Sequence, residues 1–581
     1  MKAKTNLIAT ILEYREVYDR PANLDELVAL LQDLDLVTSA SLLCQMNADF
    51  RLTKREREAM AKMQQEIAGG MLPDETVRRL KERFGQAHLS DRPIFYPAQM
   101  LNVLRLVSAH STGSRNPLAD DSARYALGDA CLMMNDLMMT EQEREAVAPG
   151  QEEKNVKRAL MVQALAPFEL TNVSPITHVA YRSRIMFREL LANRQVTERI
   201  SKECQGFNFE REFLKIAKLP LAHWLSLMLA FYTYLASYLG PDGVRHHEFL
   251  VIDRTQIGKE ASIPQAEWDA ALATVSATPD ALKRASHVKG AGDWRLDTVP
   301  FRSKPLVESE PGRLHCADIG LLVEKIHSGV FWTIHDGLSN AERWMLSAAW
   351  GILFEEYVNW FLSERQFKDF SFWPRPQWSD GIEALDGAFM RGTVFMPMEY
   401  KGGFLLRQAR YSGDVGAFEA ELESKIVKGC KQLARKIEAL FHKRPEDRKT
   451  LRTIDLTHIT RVVPLLVVQD HILGGPLVNW TINKRFSELL DRDLLRPEVK
   501  VDALNVVGIR ELETMAESAE AGEFDLFHGL QLKCYEDPEM VLNLHNFLCD
   551  QPGYGEGKSS RITSLLDEQL KETMEYLFGK K

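Results

Sequence analysis

Three charged residues stand in segments that otherwise read as interior strands. The stretch Glu383–Lys401, EALDGAFMRGTVFMPMEYK, is an apolar run carrying Asp386, a turn, and a second apolar run ending in Glu399-Tyr400-Lys401. Burying a charge without a partner is costly, so residues of this kind pair with one another or bind a metal. Side chains alternate along a strand, which puts Glu399 and Lys401 on one face and sets Ile382, Ala384, Asp386 and Ala388 together in the preceding run. Pro397 is awkward here, because proline withholds a ladder donor and is rare in central strands. Gly402-Gly403 end the run.

The flanking elements must position those charges. Ser339-Asn340-Ala341-Glu342 carries the capping-box pattern, in which Ser and Glu satisfy each other's backbone donors. The helix it predicts runs to about Arg365, with Met345, Ala348, Ile352, Glu355 and Asn359 on one stripe. Phe370–Trp373 reads as a short strand. After an insertion of about a dozen residues, a helix is predicted from about Val415 to Phe441, and Arg461–Asp470, RVVPLLVVQD, reads as a buried strand. The order is helix, three strands, helix, strand.

That order and those residues resemble the PD-(D/E)XK nuclease superfamily, which has the restriction-endonuclease-like fold. The match runs through Glu355 within Gly351-Ile352-Leu353-Phe354-Glu355-Glu356-Tyr357, then Asp386-Gly387, Glu399-Tyr400-Lys401, and Gln432 on the following helix. It covers about Ala341 to Asp470, under a quarter of the chain. Flanking pieces such as GVFWTIHDGL look like those of bacterial antiphage-defence nucleases. Pro397 and the Gly-rich insertion after Lys401 depart from the pattern, but neither removes a catalytic group.

The resemblance implies a metal-dependent endonuclease acting on phosphodiester bonds in DNA or in structured RNA such as tRNA, as a regulated antiviral effector. Asp386, Glu399, Lys401 and Gln432 would be catalytic. Glu355, Asp386, Glu399 and the Tyr400 carbonyl would hold Mg²⁺ or Mn²⁺. The chemistry agrees independently. Phosphodiester hydrolysis needs a nucleophilic water and neutralisation of charge on the phosphate, and a hard divalent cation on one or two carboxylates provides both. Lys401 would orient or deprotonate the water and stabilise the transition state, and Gln432 would hold phosphate, water or Lys401.

The helix bearing Gln432 adds electrostatic support. Between Lys425 and Arg461 eleven Lys or Arg stand against four acids, a net +7 in a chain whose total is −10. Lys425, Lys428, Lys431 and Arg435 are the candidates for tracking a nucleic-acid backbone. The bland alternative is a solvated charged face.

Length and composition frame the rest. At 581 residues the chain is too long for one core. Residues 1–290 read as an α-helical sensor or interaction domain, which the resemblance to defence nucleases implies would receive a phage-derived protein activator. Residues 291–510 hold the nuclease domain with its core at 339–470, and 511–581 form a helical C-terminal extension. The fold class expected is therefore α/β, an α-β-β-β-α-β core with helical additions. Seven scattered cysteines without a C-x-x-C pair favour reduced thiols, and the N-terminus acquires charges too early for a secretory signal, so a cytoplasmic protein is expected. Leu219–Gly240 has the length of a membrane span but carries His223 and three tyrosines, and is expected to be a buried core helix. His246, His247 and Glu248 are adjacent and lack helical metal-site spacing. Pro552–Ser559 imitates a P-loop but starts with proline and leaves too little chain for a nucleotide-binding domain. A catalytically silent nucleic-acid-binding or scaffold protein of the same fold is the rival reading.

Overall fold

The structure is a computed structural model that describes residues 11–52, 57–88, 93–138, 144–145, 151–152, 156, 174–237, 239–240, 243–244, 251–254, 261–285, 298–411, 414–475, 477–555 and 560–579. The His246-His247-Glu248 cluster and the tip of the P-loop-like segment lie outside them.

A seven-stranded mixed sheet carries the charged stretch. Its strands are β1 (Ser371–Pro374), β2 (Gly387–Arg391), β3 (Val394–Lys401), β4 (Arg461–Val462), β5 (Leu465–Val468), β6 (Lys500–Val501) and β7 (Asn505–Gly508). β1, β2 and β3 run antiparallel to their neighbours. On its other edge β3 pairs in parallel with β4 and β5, which lie end to end. β6 and β7 pair with those in turn. Parallel strands need a crossover, and the helical run after β3 supplies it.

The helices that matter to the site are α1 (Ile176–Arg184), α2 (Arg194–Glu203), α3 (Leu221–Ser237), α4 (Ile319–Lys325), α5 (Ser328–Gly337), α6 (Arg343–Ser363), α7 (Lys428–Leu440), α8 (Ile509–Glu520) and α9 (Ser560–Phe578). α6 starts three residues later than the capping pattern predicts. Ser339 donates its backbone N–H and its hydroxyl to the Glu342 carboxylate, at 3.1 and 2.6 Å, closing a turn ahead of the helix. The crossover run opens at Val415, where the Asp414 carboxylate accepts from Gly416 N–H, and passes through a π-helical stretch at Glu423–Val427 before α7.

The period of two along β3 divides its side chains between two cores. Met396, Met398 and Tyr400 pack with Trp350, Leu353, Phe354 and Tyr357 of α6. Phe395 packs on the other face with Cys430, Leu433, Ala434 and Ile437 of α7. Glu399 and Lys401 consequently face α7. The alternation expected before β2 fails, because Ile382 is 65% exposed and precedes the strand.

Pro397 fits through its partner. The Phe395 and Lys401 carbonyls accept from Val463 and Gln469 at 2.9 and 3.1 Å, so the odd-numbered backbone groups of β3 face β4 and β5. Pro397 lies opposite Val463-Pro464, the break between those strands, where no donor is required of it.

The hydrophobic cores follow other boundaries than 290 and 510. One gathers residues between Leu12 and Met134, closed by Phe301, Val307, Ala317 and Leu321. Another joins α1, α3, α6, the Tyr400 face of the sheet, α8 and α9. The expected helical part also contains strands: Val251–Asp253 and Ser276–Ala277 complete a four-stranded sheet with Leu306–Glu310 and Arg313–Cys316. α3 is buried through Trp224, Leu227, Met228, Phe231 and Leu235. Among the described residues no single helix is long and apolar enough to cross a membrane; only α3 taken with Phe209–Ala217, across a 62° bend, passes by length and composition.

Candidate active site

Asp386 stands immediately before β2, and its Oδ2 accepts the Tyr400 N–H at 2.6 Å. The carboxylate therefore acts as one more rung between β2 and β3. The glycine after it is required by packing, since a Cβ at Gly387 would fall 2.2 Å from the Tyr400 hydroxyl.

Glu399 is only 2% exposed, and each of its oxygens holds a lysine. Lys401 Nζ donates to Oε1 at 2.8 Å, and Lys436 Nζ donates to Oε2 at 2.8 Å. Lys401 also donates to Gln432 Oε1 at 3.1 Å. Lys436 leans on toward Asp386, with Nζ 3.9 Å from Oδ1. Lys401 reaches this position by lying across α7 at Gly429, where a Cβ would come within 2.4 Å of its Cε.

The electrostatics follow from this crowding. Burial, reinforced by the Glu399 charge, raises the Asp386 carboxyl to about 7 against the pull of Lys436, the Tyr400 N–H and Lys401. Burial alone would lower Lys436, but the charges of Glu399 and Asp386 raise it above its ordinary value. Asp386 thus sits near its titration point at neutral pH, beside two ammonium groups.

Four of the expected site residues therefore converge: Asp386, Glu399, Lys401 and Gln432, with the Tyr400 backbone between them. Glu355 does not join them. It accepts from Arg199 of α2 at 3.1 and 3.3 Å and from Arg375 at 2.9 Å. Glu356 is in the same clamp, 2.9 Å from Arg199 and 2.6 Å from Arg375. Both face arginines rather than the carboxylate pair. Glu383 lies between the two groups, its pKa raised by burial and by Glu355.

Lys436 is the site residue that sequence reasoning did not select, although it appears in the basic helix. Its signal is spacing: Lys436 follows Gln432 by four residues, which places both on the face of α7 that meets Lys401. Lys425, by contrast, is used internally, donating to the Phe404 carbonyl at 2.8 Å and pairing with Glu421 at 2.6 Å. Lys428, Lys431 and Arg435 are exposed beside Gln432 at the mouth of the site, without an ion pair among the described residues.

Asp386 and Glu399 fit a hard divalent cation by donor type. A cationic group, the Lys436 ammonium, already faces both carboxylates, and Mg²⁺ takes one or two carboxylates plus waters. No three His, Cys, Asp or Glu side chains among the described residues gather as a ready cage. Compared with known protein families, curated proteins and solved structures, the chain matches none.

Proposed function

We propose that the chain is a divalent-metal-dependent nuclease hydrolysing phosphodiester bonds in DNA or structured RNA. The observation that carries this reading is the convergence of Asp386, Glu399, Lys401 and Gln432 beside the exposed Lys428, Lys431 and Arg435. A structural ion pair needs no glutamine at its lysine and no solvent-facing cationic rim.

Asp386 and Glu399, with the Tyr400 carbonyl, would hold Mg²⁺ or Mn²⁺, which supplies an activated water and positive charge against the phosphate. The chain's own groups do the rest. Lys401, fixed between Glu399 and Gln432, directs its ammonium at charge developing on the phosphate. Gln432 is exposed and uses its Oε1 on Lys401, leaving its amide N–H groups for a substrate oxygen. Lys428, Lys431 and Arg435 neutralise flanking phosphates and set the strand's approach.

The purified chain with Mg²⁺ or Mn²⁺ is offered plasmid, single-stranded DNA and total tRNA beside Lys401→Ala. Cleavage by the parent and its loss in the variant is expected; equal cleavage by both refutes the assignment. The closed lysine bridges on both Glu399 oxygens favour the rival reading, a nucleic-acid-binding scaffold, which is left standing if both proteins bind and neither cuts. The antiviral role is part of the same proposal and is checked by phage plating on cells expressing the parent or Lys401→Ala.

A further inference from the structure

A second cationic site lies across the sheet's end from the first. Beyond the carboxyl ends of β3 and β5, a cleft opens between the end of α1, helices α4 and α5, and the first residues of α8. Its interior volume is about 80 Å³. Six cations line it: Arg182, Arg302, Lys325, Arg407, Arg410 and Arg510. Among the described residues two carboxylates, Glu324 and Asp470, line it with them, pairing Arg302 and Arg410. Glu513 and Asp336 pair Arg182 and Arg407 from behind. Six cations against four carboxylates leave an excess of two.

Besides Glu324 Oε1 and His471 Nε2, which have no hydrogen-bond partner, two lining groups carry donors without an acceptor among the described residues. Lys325 is 5% exposed and makes no ion pair or hydrogen bond among the described residues. Burial, with Lys304 and Arg407 nearby, lowers its pKa to about 7, and Asp336 alone pulls the other way. The side chain lies over Gly329, the first turn of α5, where a Cβ would meet its Cδ at 2.7 Å.

His327 is the second. Trp350 Nε1–H donates to Gln469 Oε1 at 2.6 Å, and indole is a donor only, so the amide end of Gln469 faces His327. That amide donates to His327 Nε2 at 2.8 Å. Burial keeps the ring neutral by lowering its pKa well below the ordinary value. With Nε2 accepting, the ring proton is on Nδ1, and Nδ1 has no partner among the described residues. The cleft is therefore lined by a buried lysine, and by a buried histidine whose Nδ1–H has no acceptor among the described residues.

We propose that this cleft binds a small phosphorylated molecule, its phosphate taken by Lys325 and the His327 Nδ1–H. A phosphate monoester carries a charge near −2 at neutral pH, and its oxygens match arginine forks. The ligand is small because Arg182, Lys325, His327 and Arg410 are each at most 5% exposed, out of reach of a polymer backbone. Trp332 and Phe404 on the wall receive its organic part. Gln469, which orients His327, also donates its backbone N–H to the Lys401 carbonyl at 3.1 Å, so an occupant adjoins the strand end that carries the first site. The binding proposal stands whether or not the chain cleaves nucleic acid.

The test is calorimetric titration of the full chain with inorganic phosphate and with AMP, against KCl of equal ionic strength. Saturable binding of at least one probe is expected in the parent. Lys325→Met, which removes an unpaired buried cation and should fold at least as stably, is expected to bind at least tenfold more weakly. His327→Phe, whose ring keeps the tilted contacts with Phe187 and Trp350, should do the same, while Lys428→Ser/Lys431→Ser binds as the parent does. No binding by the parent beyond the KCl control overturns the proposal. So does parent-like binding by folded Lys325→Met, or loss of binding in the Lys428→Ser/Lys431→Ser control.

Discussion

If the Lys436 ammonium occupies the position of a cation between Glu399 and Asp386, removing it should create a demand for one. Lys436→Met deletes a hydrogen bond to a carboxylate that is 2% exposed, while Lys401 keeps the other oxygen. A charge-assisted hydrogen bond contributes ~1.5–3 kcal/mol, and the lysine is largely buried, so a loss of ~2 kcal/mol is expected without divalent cation. A ligand at about a hundredfold over its dissociation constant returns ~2.7 kcal/mol. Saturating Mg²⁺ or Mn²⁺ should therefore bring the variant back to the parent's stability or above it. The parent should gain less, because there the ion must first displace Lys436. The assay is the thermal midpoint of both proteins at neutral pH, in EDTA and across a Mg²⁺ titration. A variant as stable as the parent in EDTA, or one whose Mg²⁺ response is no larger, would show that the lysine is an ordinary structural partner.

Other expectations follow from the same geometry. Asp386 is raised from 3.8 to about 7, so between those values the folded state holds a proton that the unfolded chain has lost, and stability falls as pH rises through that window. Asp386→Asn should remove this slope, gaining at most ~4 kcal/mol over the parent above pH 7 and nothing near pH 4, read from denaturation across pH. Gly429→Ala gains up to ~1 kcal/mol of helix propensity but displaces Lys401 from the buried Glu399 carboxylate, a bond worth ~1.5–3 kcal/mol, so a net loss of up to ~2 kcal/mol is expected on thermal denaturation. It should also lower cleavage at least tenfold, because its Cβ displaces Lys401; unchanged cleavage would mean that the lysine's path across α7 is immaterial. Replacing Lys428, Lys431 and Arg435 by serine should flatten the salt dependence of duplex binding by about 2 to 3 in log–log slope. A parallel loss at all salt concentrations would count against backbone contacts there.

The core sheet was legible because its signals are local. Apolar runs bounded by turns marked β1 to β3, and alternation the shared face of Glu399 and Lys401, but the run Arg461–Asp470, expected as one strand, is the two short strands β4 and β5, and β6 and β7 were not expected. Glu355 was legible as an acid in an apolar stripe but not in its partner. Arg199 lies 156 positions away, and Arg375 meets Glu355 only because the chain turns after β1, at a backbone φ of +44°. Lys436 was hidden for the opposite reason. One helix carries several basic residues, and nothing in their identities shows which one turns inward; the approach of β3 to Gly429 selects it. Pro397 looked out of place because a single strand does not display the break in its neighbour.

The boundaries expected at 290 and 510 illustrate the same distinction on a larger scale, and one carboxylate explains the difference. Glu513 of α8, in the expected C-terminal extension, is fully buried. It accepts from Arg182 of α1 twice at 2.9 Å, pairs with His178 Nδ1 at 2.9 Å, and accepts from Tyr357 of α6 at 2.6 Å. Burial alone would raise its pKa, yet the Arg182 charge and the bonds from His178 and Arg182 hold it below the ordinary carboxylate range. A charge this deep is tolerable only while its partners stay in place, because removing one leaves an uncompensated ion in the core. The network thus obliges α1, α6 and α8 to pack as one body, although they come from the three segments that composition separates. α6 in turn presents Glu355 and Glu356 to Arg199 of α2. Helices from the N-terminal part are therefore bolted to the sheet's supporting helix at two points, by a buried ion network and by an arginine clamp.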